Sequence, residues 1–314
     1  MEKCLNGSEI IFYILAFSTS EAAQCLLLIA VLVMYVMTVL GNTIIVTLVC
    51  LVPQLHTPMY FFLGNLALAD IMHVSITLPK LLSILLTHDN RMFFSSCMAQ
   101  VFLFSFSTVV DIYILTCMSY DRYLAICKPL QYSLIMSKNV YISMALCCWL
   151  ISAINAGINA IVVSSLSFCQ IQTVNHFYCD QKSLYTATSS DTTSGNMLLI
   201  FQDVFIAALP FMFIITSYVF IISAIMKIQS LNGRRKAFSS CSSHLFTVII
   251  FFGPAIVFYG KTESEHSKEL DKLLSLLYTA VVPMLNPFVY TLRNKDINKA
   301  ITFVAGIKIV LPKQ

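Results

Sequence analysis

The sequence predicts an all-α membrane protein: a seven-transmembrane helix bundle with the N-terminus outside, the C-terminus inside and a short amphipathic helix after helix 7. Three observations predict it. Hydrophobic residues make up 58% of the 314-residue chain and charged residues 11%, and a mean hydropathy of +0.82 leaves too little polar surface to clothe a soluble domain of this size. Seven apolar runs reach the roughly 20 residues that a helix needs to cross a bilayer. Twelve of the nineteen lysines and arginines fall on the side of those runs that also holds the C-terminus, and such a bias marks the cytoplasmic side.

Residues 1–24 form the extracellular N-terminus. Their apolar stretch, Ile10 to Phe17, is short and lacks both a basic lead-in and a small-residue cleavage site, so a cleaved signal peptide is not expected. Asn6-Gly7-Ser8 is a glycosylation sequon in this segment. The spans follow near 25–50, 58–86, 94–118, 140–166, 197–226, 239–259 and 273–292. Short connections without repeats or low-complexity tracts separate them, so residues 1–314 read as one domain with a cytoplasmic tail over 293–314. The second span carries Asp70 and Pro79, and the third carries Asp111 and closes on Asp121-Arg122-Tyr123. The fifth has Asp203 near its outer end, where an acid reaches water cheaply, and Pro210 below it. Pro254 lies in the sixth, and Pro283 with Asn286-Pro287-Phe288-Val289-Tyr290 in the seventh. Each proline removes a backbone hydrogen bond and loosens its helix. Asn286 and Tyr290, four residues apart, share a face beside a freed carbonyl.

Acids at mid-membrane depth are costly and therefore point to function. Asp70 and Asp111 have no lysine or arginine at matching depth. They could share a proton, bind a sodium ion with oxygens of Asn42 and Asn286, line a hydrated cavity, or serve when protonated as hydrogen-bonding glue. Phe104, Thr108, Asp111, Leu115, Met118 and Arg122 recur every three or four residues, one face joining the outer half of the third helix to its cytoplasmic rim. Simple core packing gives the same spacing.

Seven of the eleven cysteines fall in helices or at inner ends, where disulfides are not expected. Cys4, Cys97, Cys169 and Cys179 lie outside. Cys97 begins the third helix and Cys179 sits midway along the longest outer loop, so a bond between them would pin that loop across the helix mouth. No paired cysteine or histidine array supports a structural zinc site. The positive charge is dispersed and makes no groove for nucleic acid. No nucleophile, base and orienting group meet at one depth, so an enzyme is not expected. The buried acids and prolines keep a secondary transporter as a second reading, although seven spans do not divide into equal repeats.

Several long motifs carry a resemblance. They are Leu55-His56-Thr57-Pro58-Met59-Tyr60-Phe61-Phe62-Leu63, leading to Asp70; Met118-Ser119-Tyr120-Asp121-Arg122-Tyr123-Leu124-Ala125-Ile126-Cys127; Ser217-Tyr218; Lys236-Ala237-Phe238-Ser239-Ser240-Cys241-Ser242-Ser243-His244-Leu245; and Pro283-Met284-Leu285-Asn286-Pro287-Phe288-Val289-Tyr290. In order and spacing the chain resembles an olfactory receptor of the rhodopsin-like G-protein-coupled receptor class, from Gly41-Asn42 to Arg293-Asn294. The short third outer loop and the His56-Thr57-Pro58 segment look like the larger, tetrapod-expanded branch. An opsin is excluded, because Ala280 stands where the resemblance would place the Schiff-base lysine.

The resemblance implies signalling without catalysis. A small odorant would bind between helices three, five, six and seven beneath the long outer loop, and a stimulatory heterotrimeric G protein would dock on the cytoplasmic face. The expected location is the plasma membrane of olfactory sensory neurons, with no cofactor beyond a sodium ion. On this sequence the resemblance implies a pocket lined by Phe104, Ser105, Thr108, Phe205, Phe252, Ile256, Tyr259 and Thr279, apolar with a few hydroxyls. Such a lining suits a small, mostly hydrophobic molecule with one hydrogen-bonding group. The activation switch would comprise Asp121, Arg122, Tyr123, Tyr218, Asn286, Pro287 and Tyr290, and the central polar or sodium site Asn42, Asp70, Asp111 and Asn286. Cys97 and Cys179 would form the disulfide, and Arg234, Arg235 and Lys236 would face the G protein.

The chain departs from the family pattern in places. Ser189 replaces the cysteine expected to pair with Cys169, Asp111 replaces a glutamate, and Phe251-Phe252-Gly253 lacks the usual tyrosine hydroxyl. Phe104 stands where amine receptors carry an acid, which argues against a simple biogenic amine.

Overall fold

The computed structural model describes residues 10–17, 20–168, 171–259, 267–293 and 295–304. A strand, β1 (Ile11–Ile14), precedes the first long helix, α1 (Glu21–Leu51). α2 (Pro58–Thr87) starts on Pro58, where a missing N–H costs nothing, and stops at His88, which takes a left-handed conformation with φ 55°. β2 (Arg91–Phe93) leads into α3 (Phe94–Cys127), followed by the short α4 (Tyr132–Ile135), α5 (Lys138–Ser164), β3 (Ile171–Val174) and α6 (Gln181–Ala187). α7 (Thr193–Gln202) and α8 (Leu209–Met226) run on as one rod through a π-turn at Asp203–Ala208. After α9 (Leu231–Tyr259), α10 (Ser267–Leu276) and α11 (Val282–Arg293) are likewise joined through a π-turn at Leu277–Val281, and α12 (Lys295–Val304) follows.

Six of these rods are long and apolar enough to cross a membrane, and α9 adds a shorter apolar run, Cys241–Pro254. Their outward faces are greasy: Leu26, Ile154, Ile161 and Val219 are exposed from the protein, as lipid-facing side chains must be. α3 is the central helix and packs against α2, α5, α8 and α9. Val110, Ile114, Leu115 and Met118 are sealed inside.

Both π-turns sit just before a proline. A proline ring collides with the carbonyl four residues back. That carbonyl belongs to Ile206 for Pro210 and to Thr279 for Pro283, each inside a π-turn. The wider turn moves the carbonyl aside, so the rod continues with a local change of phase instead of a break. Pro79, Pro254 and Pro287 are carried within α-helical geometry. α1 packs tightly on α11 at Gly41, where an added Cβ would lie 2.9 Å from Pro287 Cβ.

One feature departs from an all-α expectation. The segment from Ile10 supplies the central strand of a three-stranded sheet, ordered β2-β1-β3, with β1 antiparallel to β2 and parallel to β3. Phe12 and Ile14 turn inward and pack with Phe168, Val174 and Leu184 around Cys97 and Cys179. This cap covers the end of the bundle opposite Arg122. At the Arg122 end, α12 presents Ile297 and Ala300 to the core, and Tyr60 Oη donates to Asp296 Oδ2 at 3.2 Å.

Candidate functional site

The chemistry lies along α3 in three tiers. Beneath the sheet, Cys97 at the start of α3 is bonded to Cys179. Gln100 strengthens the tie: its Oε1 accepts from the Cys179 amide at 2.8 Å, and its Nε2 donates to the Ile76 carbonyl at 2.8 Å. The loop around Cys179 is thus fastened to α2 and α3 together. Phe104 packs on Tyr178 of that loop, with ring centroids 4.7 Å apart, and on His73 at 5.0 Å.

Ser105 belongs to a cluster of amides. Its Oγ accepts from Asn159 Nδ2 at 2.5 Å and Asn155 Nδ2 at 3.4 Å. Gln202 Nε2 donates to Asn159 Oδ1 at 2.6 Å and Asn155 Oδ1 at 3.0 Å, and Gln181 Nε2 donates to Asn159 Oδ1 at 3.1 Å and Tyr185 Oη at 3.0 Å. The cluster joins α3, α5, α6 and α7. The expected pocket lining did not include these four amides, although Asn155 and Asn159, one turn apart in a span, signal a polar face. Thr108 Oγ1 and Thr279 Oγ1 are buried without a hydrogen-bond partner, two hydroxyls with unused capacity. Phe252 packs on Phe211 at 4.8 Å.

Phe205 needs correction. It is half exposed on the outside of the bundle, stacked on Phe201 at 4.5 Å, while Ile206 turns inward. The π-turn over Asp203–Ala208 shifts the phase of the helix, and an even helical count assigns the wrong face. The side chains of Ile256, Tyr259 and Asp203, and all of Asn6, Cys4 and Cys169, lie outside the described residues.

The middle tier holds the acids. Asn286 Nδ2 donates to Asp70 Oδ2 at 2.8 Å. Asn42 Nδ2 is committed to the Thr38 and Pro283 carbonyls at 3.0 and 3.2 Å, leaving Asn42 Oδ1 buried without a partner. Asp111 Oδ1 is also unpartnered. The acids do have a base at their depth, and it is a histidine: His73 Nδ1 lies 3.7 Å from Asp111 Oδ2 and 3.2 Å from Ser107 Oγ. Ser107 Oγ already donates to the Phe104 carbonyl at 3.1 Å, so it can only accept from His73, which puts a proton on Nδ1 facing Asp111. His73, one turn beyond Asp70, was legible by its i, i+3 spacing. Among the described residues no group of three or more histidine, cysteine and acidic side chains is arranged for a metal ion.

At the far end, Asp121 is fully buried and doubly held. Its Oδ2 accepts from Arg122 Nη2 at 2.5 Å and Nε at 3.1 Å, and its Oδ1 accepts from Tyr132 Oη at 2.7 Å. Tyr123 contacts Phe220 of α8 with ring centroids 6.1 Å apart. About two turns deeper along α3, His244 Nε2 lies 3.2 Å from the Leu115 carbonyl and His244 Nδ1 lies 2.6 Å from Tyr218 Oη. A carbonyl can only accept, so Nε2 carries the proton and Tyr218 donates to Nδ1. His244 thereby staples α9 to α3 and α8. Tyr290, Asn286 and Pro287 follow one another on α11 beside this tier, with Tyr290 fully buried and Ser243 Oγ of α9 3.5 Å from the Val289 carbonyl.

Comparison with known proteins shows the family and the fold. A family model described as olfactory receptor matches residues 31–308. Human olfactory receptor 2A12 is 42% identical over 92% of this chain and 93% of its own length. Mouse olfactory receptor 3A10 is 40% identical over 92% of each chain. Squid rhodopsin shares the fold, with a TM-score of 0.71 at 18% identity over 92% of this chain and 87% of its own. The chain therefore belongs to the olfactory receptor family of rhodopsin-like G-protein-coupled receptors, which are not enzymes.

Proposed function

We propose that the protein is an odorant receptor that binds a small, mostly hydrophobic molecule beneath the sheet and activates a stimulatory heterotrimeric G protein, raising cAMP. The observation that carries this reading is the His244 staple: one side chain on α9 joins α3 to α8, so a ligand that separates these helices at the capped end must act on it. Phe104, Ser105, Thr108, Phe252 and Thr279 are the ligand-facing set, with the amides of Asn155, Asn159, Gln181 and Gln202 as its polar end. Asp121, Arg122, Tyr123, Tyr218, Asn286, Pro287 and Tyr290 are the switch.

The lysine and arginine bias supports an orientation with Arg122 in the cytoplasm and the sheet outside. That orientation would leave the Asn6 sequon available for glycosylation. One multi-pass domain at the plasma membrane of olfactory sensory neurons completes the reading. The test is a cAMP assay in cells expressing the chain with a stimulatory G protein, screened against volatile and water-soluble odorants. A dose-dependent response lost in Arg122→Ala, with surface expression intact, is expected; substrate flux without cAMP would instead favour a transporter.

Asp70, Asp111 and Asn286, with Asn42 nearby, would hold a sodium ion or share a proton. The unpartnered Asp111 Oδ1 and Asn42 Oδ1 are oxygen donors of the kind a hard cation takes. Asp111→Asn is expected to change basal activity or its sodium sensitivity, and a variant unchanged in both would make the acids structural.

A further inference from the structure

The ends of α8 and α9 on the Arg122 side enclose a groove of about 430 Å³ lined by Ile222, Ile225, Met226, Leu231 and Phe238, with Arg234 and Arg235. The walls are hydrocarbon and the rest is guanidinium. Met226 and Phe238 are 61% and 54% exposed, so no other part of the described protein closes the groove. Arg234 spends one N–H of Nη2 on the Ile228 carbonyl at 3.2 Å, and its Nε is buried without a partner. Among the described residues no acid pairs with Arg234 or Arg235. The sequence gives the reason, since no aspartate or glutamate occurs between Asp203 and Glu263, while Lys227, Arg234, Arg235 and Lys236 gather there.

A cleft that is apolar along its length and cationic at one end is complementary to an amphiphile with an anionic head. With the orientation proposed above, the groove opens where the cytoplasmic leaflet holds its anionic lipids. We infer that it is a binding site for an anionic phospholipid of that leaflet. An acyl chain lies along Ile222, Met226 and Phe238, and the phosphate takes the guanidinium groups of Arg234 and Arg235, whose planar fork matches phosphate oxygens. The inference uses the topology but not the identity of any odorant. It also gives these arginines a role in the membrane that the G-protein-facing assignment does not include.

The test uses the full-length chain in nanodiscs holding equal amounts of phosphatidylserine and phosphatidylcholine with identical acyl chains, the retained lipid being counted by native mass spectrometry. Phosphatidylserine is expected to be retained over phosphatidylcholine by on the order of tenfold, as two basic contacts allow. Arg234→Gln/Arg235→Gln should bring the two lipids to near parity. Lys227→Gln removes one positive charge from the same edge outside the groove and should leave the selection intact. Met226→Trp fills the groove and should lower retention of both lipids; if the double glutamine variant fails to fold, this variant and Arg234→Lys/Arg235→Lys, which keeps the charge, carry the test. Parity in the unaltered protein overturns the inference. So does a loss with Lys227→Gln as large as with the double variant, which would mean diffuse surface charge. Displacement of phosphatidylserine by inorganic phosphate also overturns it, since that would mean an anion site without an acyl groove.

Discussion

Asp121 shows how much of a site a motif reveals. The motif names its neighbour Arg122 but not the ion pair between them, in which Arg122 is mostly covered and Asp121 sealed. Tyr132, which donates to the other carboxylate oxygen, stands eleven positions on, in a loop helix of one turn, where no periodicity announces it. Losing a hydrogen bond to a buried charged group costs about 1.5–3 kcal/mol. Tyr132→Phe should therefore loosen Asp121, free Arg122 for other partners and raise basal cAMP several-fold. Unchanged basal signalling with a normal ligand response would reduce Tyr132 to a loop anchor. His73 and His244 tell a similar story. His244 stands within a recognisable motif and His73 one turn beyond Asp70, but the carbonyl and hydroxyls that define their roles come from other helices, and one-dimensional spacing carries no record of those.

At the scale of elements, apolar length made the spans legible, because a helix in lipid must satisfy its own backbone and needs no partner to declare itself. The cap was not legible. β1 is four residues long, and its pairing partners lie in two distant loops, so nothing local distinguishes it from coil. Prolines were legible as points of weakness, but the answer to two of them, a π-turn, changes which residues face inward below and above. Pro210→Ala restores the backbone N–H and removes the ring that the π-turn accommodates. If the segment relaxes to α geometry, α7 turns by about 100°, one residue's worth, and carries Gln202 away from Asn155 and Asn159. Ligand potency should fall about tenfold while thermal stability is held or improved. Unaltered potency would mean that the π-turn survives without its proline.

On the scale of the whole molecule, the capped end is a lid fastened by a disulfide closing a separation of 82 residues, a constraint worth about 4 kcal/mol in loop-closure entropy. His176 sits within this lid, its Nε2 3.2 Å from Ser275 Oγ of α10 and its Nδ1 buried without a partner. Burial holds its pKa below the ordinary 6.5; Asp180 and Asp271 pull it up and Lys272 pushes it down. The unfolded chain thus takes up a proton before the folded lid does. The stability tied to neutral His176 is complete above pH 6.5 and is lost as pH falls below that value toward the depressed one. The thermal midpoint of the purified receptor should drop by a few degrees between pH 7.5 and 5.5, and His176→Asn should flatten that part of the slope; an equal drop in the variant would move the effect elsewhere. The sheet sets a further condition, on the order of events during synthesis. β1 emerges from the ribosome first, yet it is the middle strand, and its Ile11 pairs with Ile171. Its β2 edge can close after two spans, but its β3 edge stays open until four have been inserted, so a chain stalled between β2 and β3 presents one unpaired strand edge to its surroundings, and maturation is most vulnerable to aggregation there.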